Sequence, residues 1–359
     1  MNIFVLIAIL IIIIYFYNSQ KVEGFLNYSK CSQVDVPHVI KDIFKDREFK
    51  QDNKNYDVYF PCGYNYIEHE LNSMSKPQMG QKVFGITGCD SIVAKDTLWS
   101  LLYKFYGNNA DKIAPRTYLT TKKEDLQRFL NEYVPKKKYI LKKNVQRQEG
   151  IFISDNKDDI IKKVNNDRSY VVIQELLTNP FILNGRKINM RVYLLVICNK
   201  GNTKVYYHKN GFMYYTKDTL VKNKIDYDNI VTTGYIDRKV YDENPLTLED
   251  FRKWLNKNGY SSKKLDNNLM GIFKKIVSAI KGSICNGENV KDTTTFQIFG
   301  TDIAPDPELN MKIMEFNKGP DMSFKDERDG EVKKKLNKDI FNLLGMYNYD
   351  EKNEFIRVY

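Results

Sequence analysis

Three side chains able to offer oxygen to a hard cation lie within one short stretch, Thr295 to Met322 (TFQIFGTDIAPDPELNMKIMEFNKGPDM): Asp302, Glu315 and Asn317. Two apolar-rich runs, Phe296 to Ala304 and Met311 to Phe316, flank the turn-forming cluster Pro305-Asp306-Pro307-Glu308, which predicts a β-hairpin. Strand alternation puts Glu315 and Asn317 on the face of Ile313, with Lys312, Met314 and Phe316 on the other. Asp302 falls near the end of the first strand, where pairing would bring it toward the same carboxylate and amide. Two acids and an amide converging on one point suit Mg2+, whose shell phosphate oxygens and water would complete. The plainer alternative is a solvated hairpin end. Asp306 and Asp321 are acidic neighbours, expected to make no direct contact with the metal.

Candidate phosphate-binding cations stand upstream. Lys138 to Lys143 predicts a strand carrying Lys142, followed by a polar loop, Asn144 to Glu149, and a second strand opening at Gly150. A strand-borne lysine before a covering loop can hold phosphates, although a surface hairpin with wet lysines has the same pattern. Further on, Lys187, Asn189 and Arg191 alternate with Ile188, Met190, Val192 and Leu194, a strand whose polar face suits either solvent or a polyphosphate cleft.

The elements that must position these groups are strands alternating with amphipathic helices. Val83 to Thr87 predicts a strand, and Lys95 to Tyr106 a helix with Leu98, Leu101, Leu102 and Phe105 on one stripe. Lys123 to Tyr133 predicts a second helix, with Thr120-Thr121 as caps. Tyr170 to Leu177 is a buried-type strand. Thr247 to Asn258 and Leu265 to Lys281 are helices whose apolar stripes belong to the core, and Glu331 to Leu344 is a terminal helix whose Lys333 to Lys335 run reads as a solvated face.

The 359 residues carry 56 Lys+Arg against 45 Asp+Glu, a net charge of +11 and a pI near 9.1, which favours an acidic partner without choosing among nucleic acid, membrane, nucleotide and acidic peptide. No aromatic-basic module supports nucleic acid. Cys31, Cys62, Cys89, Cys198 and Cys285 are odd in number and form no CxxC, suggesting neither a zinc site nor a disulfide framework, and therefore a reducing compartment. His38 and His69 stand apart from any acid-base pattern. Ile3 to Tyr17 is unbroken apolar or aromatic sequence; as a helix it rises about 22 Å, short of the roughly 30 Å hydrocarbon core, with its tyrosines suited to an interface. The expectation is an uncleaved single-pass membrane anchor, residues 1–18, with the body on the cytosolic side. A polar linker or peripheral segment follows over 19–60.

In order, these segments resemble the tubulin-tyrosine ligase-like family, a branch of the ATP-grasp ligases, from roughly Cys89 to Leu344. The resemblance is carried by YILKK with GIFI, by VVIQELLTNPFILNGRKINMRVYLL, by FQIFGTD and by MEFNKGP, with Ala94-Lys95-Asp96 and Pro115-Arg116-Thr117-Tyr118 as entry segments. It implies an α/β (α+β) ATP-grasp fold, with two α/β lobes clasping a nucleotide. A small α/β lobe over 61–137 would precede an ATP-grasp core over 138–345 and a tail over 346–359. It also implies a ligase using ATP and Mg2+ to join an amino acid to a carboxylate on an acidic protein tail, through an acyl-phosphate. Lys142 would meet the α- or β-phosphate, and the Gln146 to Gly150 loop would cover it. Gln174, Glu175 and Leu176 would form the adenine hinge. Lys187 and Arg191 would line the phosphate and acyl-phosphate pocket, and Asp302, Glu315 and Asn317 would hold Mg2+. Such chemistry needs positioning and charge neutralisation, not a nucleophile of the enzyme's own.

The chain also departs from the family. Asn189 stands where Asp is usual, Met213 or Tyr214 where an arginine is common, and Val231-Thr232-Thr233-Gly234 where His-Leu-Thr-Asn is expected; the loop before Gly150 is poor in glycine. These departures leave open an altered amino substrate, or a membrane-tethered pseudo-ligase that binds nucleotide or an acidic protein without turnover.

Overall fold

The computed structural model describes residues 26–359 apart from 34, 46–47, 145–149, 178 and 221–226. Four short parallel strands open it: Leu26–Lys30 (β1), Phe49–Gln51 (β2), Val58–Phe60 (β3) and Lys82–Phe84 (β4). Thr117–Leu119 (β5), Tyr139–Lys143 (β6), Ile151–Ser154 (β7) and Tyr170–Glu175 (β8) form a separate antiparallel sheet in the order β5-β8-β6-β7. The remaining strands are Ile182–Leu183 (β9), Arg186–Asn199 (β10), Asn202–Thr216 (β11), Thr232–Thr233 (β12), Thr294–Pro305 (β13), Met311–Asn317 (β14) and Phe355–Arg357 (β15). They join the first four in one large sheet, ordered β12-β11-β10-β13-β4-β3-β1-β2, with β14 on β13, β15 on β11 and β9 on β10. The fold is therefore mixed α/β, built on two sheets.

β10 and β13 are the centre of the large sheet because their sequences suit burial on both faces. From Lys187 through Cys198 only Arg191 escapes full burial, and β13 is buried from Thr295 through Thr301. The Ser262–Ile280 helix covers this centre with Leu265, Leu269, Ile272, Phe273, Ile276 and Ile280, all buried at helical spacing. Leu248–Lys257 begins at a capping box in which the Thr247 hydroxyl accepts from the Asp250 N–H and the Asp250 carboxylate accepts from the Thr247 N–H. The small sheet has its own core, in which Tyr118, Phe129 and Tyr139 meet edge to face.

Several expectations are corrected. The segment expected as a linker or peripheral structure supplies β1, β2 and β3 at one edge of the large sheet, with Val58 fully buried. Strands of three to five residues with polar alternate positions leave too short a pattern for periodicity to register. The Lys123–Glu132 helix is not capped by Thr120 or Thr121; Lys122 takes the cap position, and the Thr120 hydroxyl instead donates to the Tyr170 carbonyl at 2.5 Å. The cysteines are not four scattered thiols: Cys31 is bonded to Cys62 and Cys198 to Cys285, with Cys89 free and buried. Separations of 31 and 87 residues hide both pairings from local spacing rules. Among the described residues no helix is long and apolar enough to cross a membrane, so the single-pass N-terminal anchor and the membrane partner are not borne out; residues 3–17, on which they rested, lie outside the described residues.

Candidate functional site

The two sheets face one another across a cleft of about 1080 Å³. Lys142, Gln174, Glu175, Leu176, Lys187, Arg191, Asp302, Glu315 and Asn317 all line it, so every candidate site residue named from the sequence comes to one place. The Gln146–Gly150 loop expected to cover it lies outside the described residues except for Gly150.

The acidic group is set by the β13–β14 hairpin. Asp302 stands directly opposite Glu315, while the next residue, Ile303, stands opposite Ile313, so Met314 is an extra residue and makes a β-bulge. The bulge resets the alternation. Met311, Ile313 and Phe316 are all buried, while Glu315 and Asn317 line the cleft. Glu315 therefore does not share a face with Ile313, nor Phe316 with Lys312, as uninterrupted alternation predicts.

Arg191 reaches this group from the neighbouring strand β10, where it is in register with Asp302. Its Nε donates to Asp302 Oδ1 at 2.6 Å and its Nη2 to Oδ2 at 3.2 Å, a two-point pair with 13% of each side chain exposed. Gly300 makes room for it: a Cβ there would stand 3.0 Å from both Arg191 Cδ and Nη1. Tyr214, paired across the strands with Asn189, packs its ring 4.9 Å from the guanidinium centre. The buried Met213 is in register with Met190, so Tyr214 is the residue that faces the cleft where the family commonly has arginine.

The electrostatics follow from burying so many charges together. Burial, reinforced by the facing Glu315 charge, pushes the Asp302 carboxyl up to about 6 against the pull of Arg191. Glu315 is also penalised by burial, but Lys95, Lys142 and Arg191 outweigh that and hold it below the ordinary range. Two buried carboxylates in register repel each other, and Asn317 places its amide beside them, with Nδ2 3.4 Å from Glu315 Oε1. This donor set suits a small divalent cation, which would relieve the repulsion.

On the other wall, Lys142 Nζ donates to Gln174 Oε1 at 2.8 Å, and Gln174 Nε2 donates to Thr117 Oγ1 at 2.9 Å, so three strands of the small sheet fix this lysine. Burial lowers its ammonium to about 8. Lys187, 6% exposed, donates to the Ile230 carbonyl at 3.1 Å and is also lowered to about 8, by burial and then by Lys142. Glu175 turns its carboxylate to Lys137 at 2.7 Å. Its backbone N–H and that of Leu176 donate to the Arg116 and Lys138 carbonyls, which fixes the course of the chain past the cleft. Asn189 Oδ1 is buried without a hydrogen-bond partner, an acceptor available between two cations.

Sequence reasoning missed several lining residues. Lys333 is 3% exposed, paired with Asp329 at 2.7 Å and donating to the Ser323 carbonyl at 2.5 Å, which corrects its reading as part of a solvated face. The signal was available: Asp329 and Lys333 are four apart on one helix, between the buried Val332 and Leu336. Lys318, also buried, pairs with Asp90, and its carbonyl accepts from the fully buried Gln297 at 3.3 Å. Contacts between residues more than 200 positions apart leave no local trace. No serine, cysteine or histidine occurs among the described residues that line the cleft.

Known proteins share sequence with this chain. Residues 72–354 match the model of the tubulin-tyrosine ligase family. The protein named probable tubulin polyglutamylase TTLL9 from Rattus norvegicus is 28% identical over 200 residues, 54% of this chain and 41% of the relative. The probable beta-tubulin polyglutamylase of Tetrahymena thermophila is 23% identical over 367 residues, 92% and 29% respectively, and tubulin polyglutamylase TTLL6 of Mus musculus is 27% identical over 295 residues, 76% and 35%. The chain thus spans less than half the length of these relatives. With the family model covering well over half of its residues, the chain belongs to the tubulin-tyrosine ligase family.

Proposed function

We propose that this chain is an ATP- and Mg2+-dependent ligase that joins an amino acid to a carboxylate on an acidic protein tail, with 138–345 as its ATP-grasp core and 61–137 as a preceding α/β lobe. The observation that carries this reading is the meeting, in one cleft, of two buried lysines and an arginine with two acids and an amide. The relatives are named glutamylases acting on tubulin, which makes glutamate the first amino acid to test and a tubulin-like acidic tail the first acceptor.

In this reading Lys142 and Lys187 bind the phosphate chain from opposite walls, and the Gln174–Leu176 segment holds the adenine. Asp302, Glu315 and Asn317 would hold Mg2+, which when bound neutralises phosphate charge. Arg191 is anchored through Asp302 and presents its remaining donors where charge develops as a carboxylate oxygen takes the γ-phosphoryl group and ADP leaves. An amine then attacks the acyl carbon and inorganic phosphate departs. The orphaned Asn189 acceptor is placed to receive a ligand N–H or O–H. A pseudo-ligase finds no support in the relatives' names, and the intact acids and cations oppose it.

Thermal unfolding with and without Mg·ATP, on wild type and Glu315→Ala, tests the reading. At about one hundred times the dissociation constant, binding adds about 2.7 kcal/mol, which for a chain of this length corresponds to a rise of roughly 3–5 °C. Glu315→Ala should abolish the metal-dependent part. No shift in wild type at millimolar Mg·ATP would overturn the nucleotide assignment.

A further inference from the structure

We propose that Lys325, at the mouth of the cleft, receives a second carboxylate of the acceptor: an acid two or three residues from the one that is modified, on the same extended segment. The proposal rests on the ligase reading for its acceptor and narrows the substrate class, from any acidic tail to one whose acids are close neighbours.

The charges around Tyr235 single this lysine out. Arg238, Lys325 and Lys333 line the cleft there, with the acids Asp321 and Asp329. Two of the cations are already neutralised. Arg238 donates through Nε to Asp326 Oδ2 at 2.8 Å, and Lys333 pairs with Asp329 at 2.7 Å. Asp321 is occupied by its own turn, accepting from the Ser323 N–H at 2.9 Å and hydroxyl at 2.7 Å. The Lys325 ammonium donates to the Gly234 carbonyl at 2.8 Å and lies 4.3 Å from the centre of the Tyr235 ring, and it makes no ion pair among the described residues. An ammonium has three donors, so two of them are left for a ligand. Partial burial, and then the Lys333 charge, lower it from the ordinary lysine value, a cost that an incoming carboxylate relieves.

The lysine is held at a fixed place relative to the reacting centre. Its backbone N–H donates to Asp329 Oδ2 at 3.2 Å, which ties it to the helix that carries Lys333. On its other side Gly234 lies flat on Tyr214: a Cβ there would stand 2.8 Å from the ring carbons Cε1 and Cζ. Tyr214 in turn packs its ring 4.9 Å from the guanidinium centre of Arg191, which holds Asp302. Lys325 is therefore separated from Arg191 by one aromatic ring and one backbone layer. A carboxylate bound at Lys325 is not the one activated beside Arg191 but a neighbour of it. Successive residues of an extended chain are about 3.3–3.6 Å apart, and two or three such steps cover the separation.

The surroundings suit a segment of chain crossing the mouth. Tyr235 and Phe324 are both exposed, and the Lys334 ammonium lies 5.4 Å from the centre of the Phe324 ring, outside the cleft. Exposed rings beside ammonium groups offer an extended acidic peptide both apolar contact and charge, whereas a small ligand would leave them in water.

The test measures binding of dye-labelled peptides of roughly eight residues to the full chain by fluorescence anisotropy at low ionic strength, where surface charge pairs are least screened. One peptide carries two glutamates with two neutral residues between them; in two others, one glutamate or the other is glutamine. Wild type should prefer the double-glutamate peptide by about three- to fivefold, the strength of a partly exposed ion pair, and the preference should fade as salt is raised. Lys325→Met should bind all three alike, and Lys325→Glu should reverse the order. Wild type that shows no preference, failure to bind included, overturns the proposal, as does a preference that survives in Lys325→Met. Free L-glutamate is a further probe: affinity for it that falls in Lys325→Met while the peptide preference stays would assign the lysine to the incoming amino acid and overturn the proposal. The Mg·ATP-dependent rise in melting temperature of wild type, measured on the same sample, decides the nucleotide assignment separately, so the two readings can fail independently.

Discussion

Lys187 holds a buried ammonium in the cleft, and the cost of that charge can be worked out. Its ordinary value of 10.5 falls to about 8, first because burial strips its water and second because Lys142 repels it. Each pKa unit is worth about 1.4 kcal/mol, so the charged form is disfavoured by on the order of 3 kcal/mol. Between about pH 8 and 10.5 the unfolded chain holds a proton that the folded chain has released. Stability must therefore rise with pH across that window and be level below it. Lys187→Met removes the titrating group. Denaturant unfolding of both proteins at pH 7.5, 8.5 and 9.5 should show the variant ahead by up to about 3 kcal/mol at the lowest pH, with the gap closing as pH rises. Bound phosphate reverses the preference, because anions favour the charged forms of Lys187 and Lys142. Calorimetry at pH 8.5 in buffers of unlike ionisation enthalpy should then register uptake of on the order of one proton per Mg·ATP bound. A gap between wild type and Lys187→Met that stays constant from pH 7 to 10, together with no proton uptake, would refute the account of this lysine.

Two further substitutions test the placement of residues that the sequence misassigned. Lys333→Ala leaves the buried Asp329 carboxylate without its cation and should cost about 3–5 kcal/mol, whereas Lys334→Ala, whose pair with Glu331 is exposed, should stay within about 0.5 kcal/mol; equally small effects in chemical denaturation would return Lys333 to a solvated face. Deleting Met314 removes the bulge and leaves Ile313, Glu315, Phe316 and Asn317 consecutive, in regular alternation opposite Ile303, Asp302, Thr301 and Gly300. It should keep Glu315 and Asn317 in the cleft and retain the Mg·ATP-dependent rise in melting temperature, and a folded deletion variant that loses that rise would disprove the reading of Met314 as the extra residue.

The parts legible in the sequence are those where one local period governs. Lys95–Tyr106, Leu248–Lys257 and Ser262–Ile280 carry their apolar stripes at helical spacing, and the Arg186–Leu194 alternation put Lys187 and Arg191 on the side that faces the cleft. The Pro305–Glu308 cluster marked the turn that brings Asp302 opposite Glu315. What escaped was governed by partners far along the chain. β1, β2 and β3 are short, and their strand character comes from a ladder in which β3 lies beside β4, itself beside β13 more than 200 residues later. The cysteine pairings and the Lys318–Asp90 contact share that origin.

The bulge at Met314 shows how residues expected to converge can line one cleft even where their faces are assigned wrongly. Alternation alone put Glu315 with Ile313, and because Ile313 is core, strict alternation through Met314 would have turned this acid away from the cleft. Absorbing Met314 as a bulge reconciles the two demands on β14: Met311, Ile313 and Phe316 stay buried, while Glu315 and Asn317 still meet Asp302 across the strands. Bulges of this kind re-aim side chains beside functional sites, and their sequence sign is a broken alternation in which apolar residues fall at unequal spacing, here 311, 313 and 316. The same economy appears at Gly300, where the absence of a side chain on β13 lets the Arg191 guanidinium lie against the strand and reach Asp302. Chemistry in this cleft therefore depends on two local departures from regular sheet, each placed one or two positions from an acid it serves.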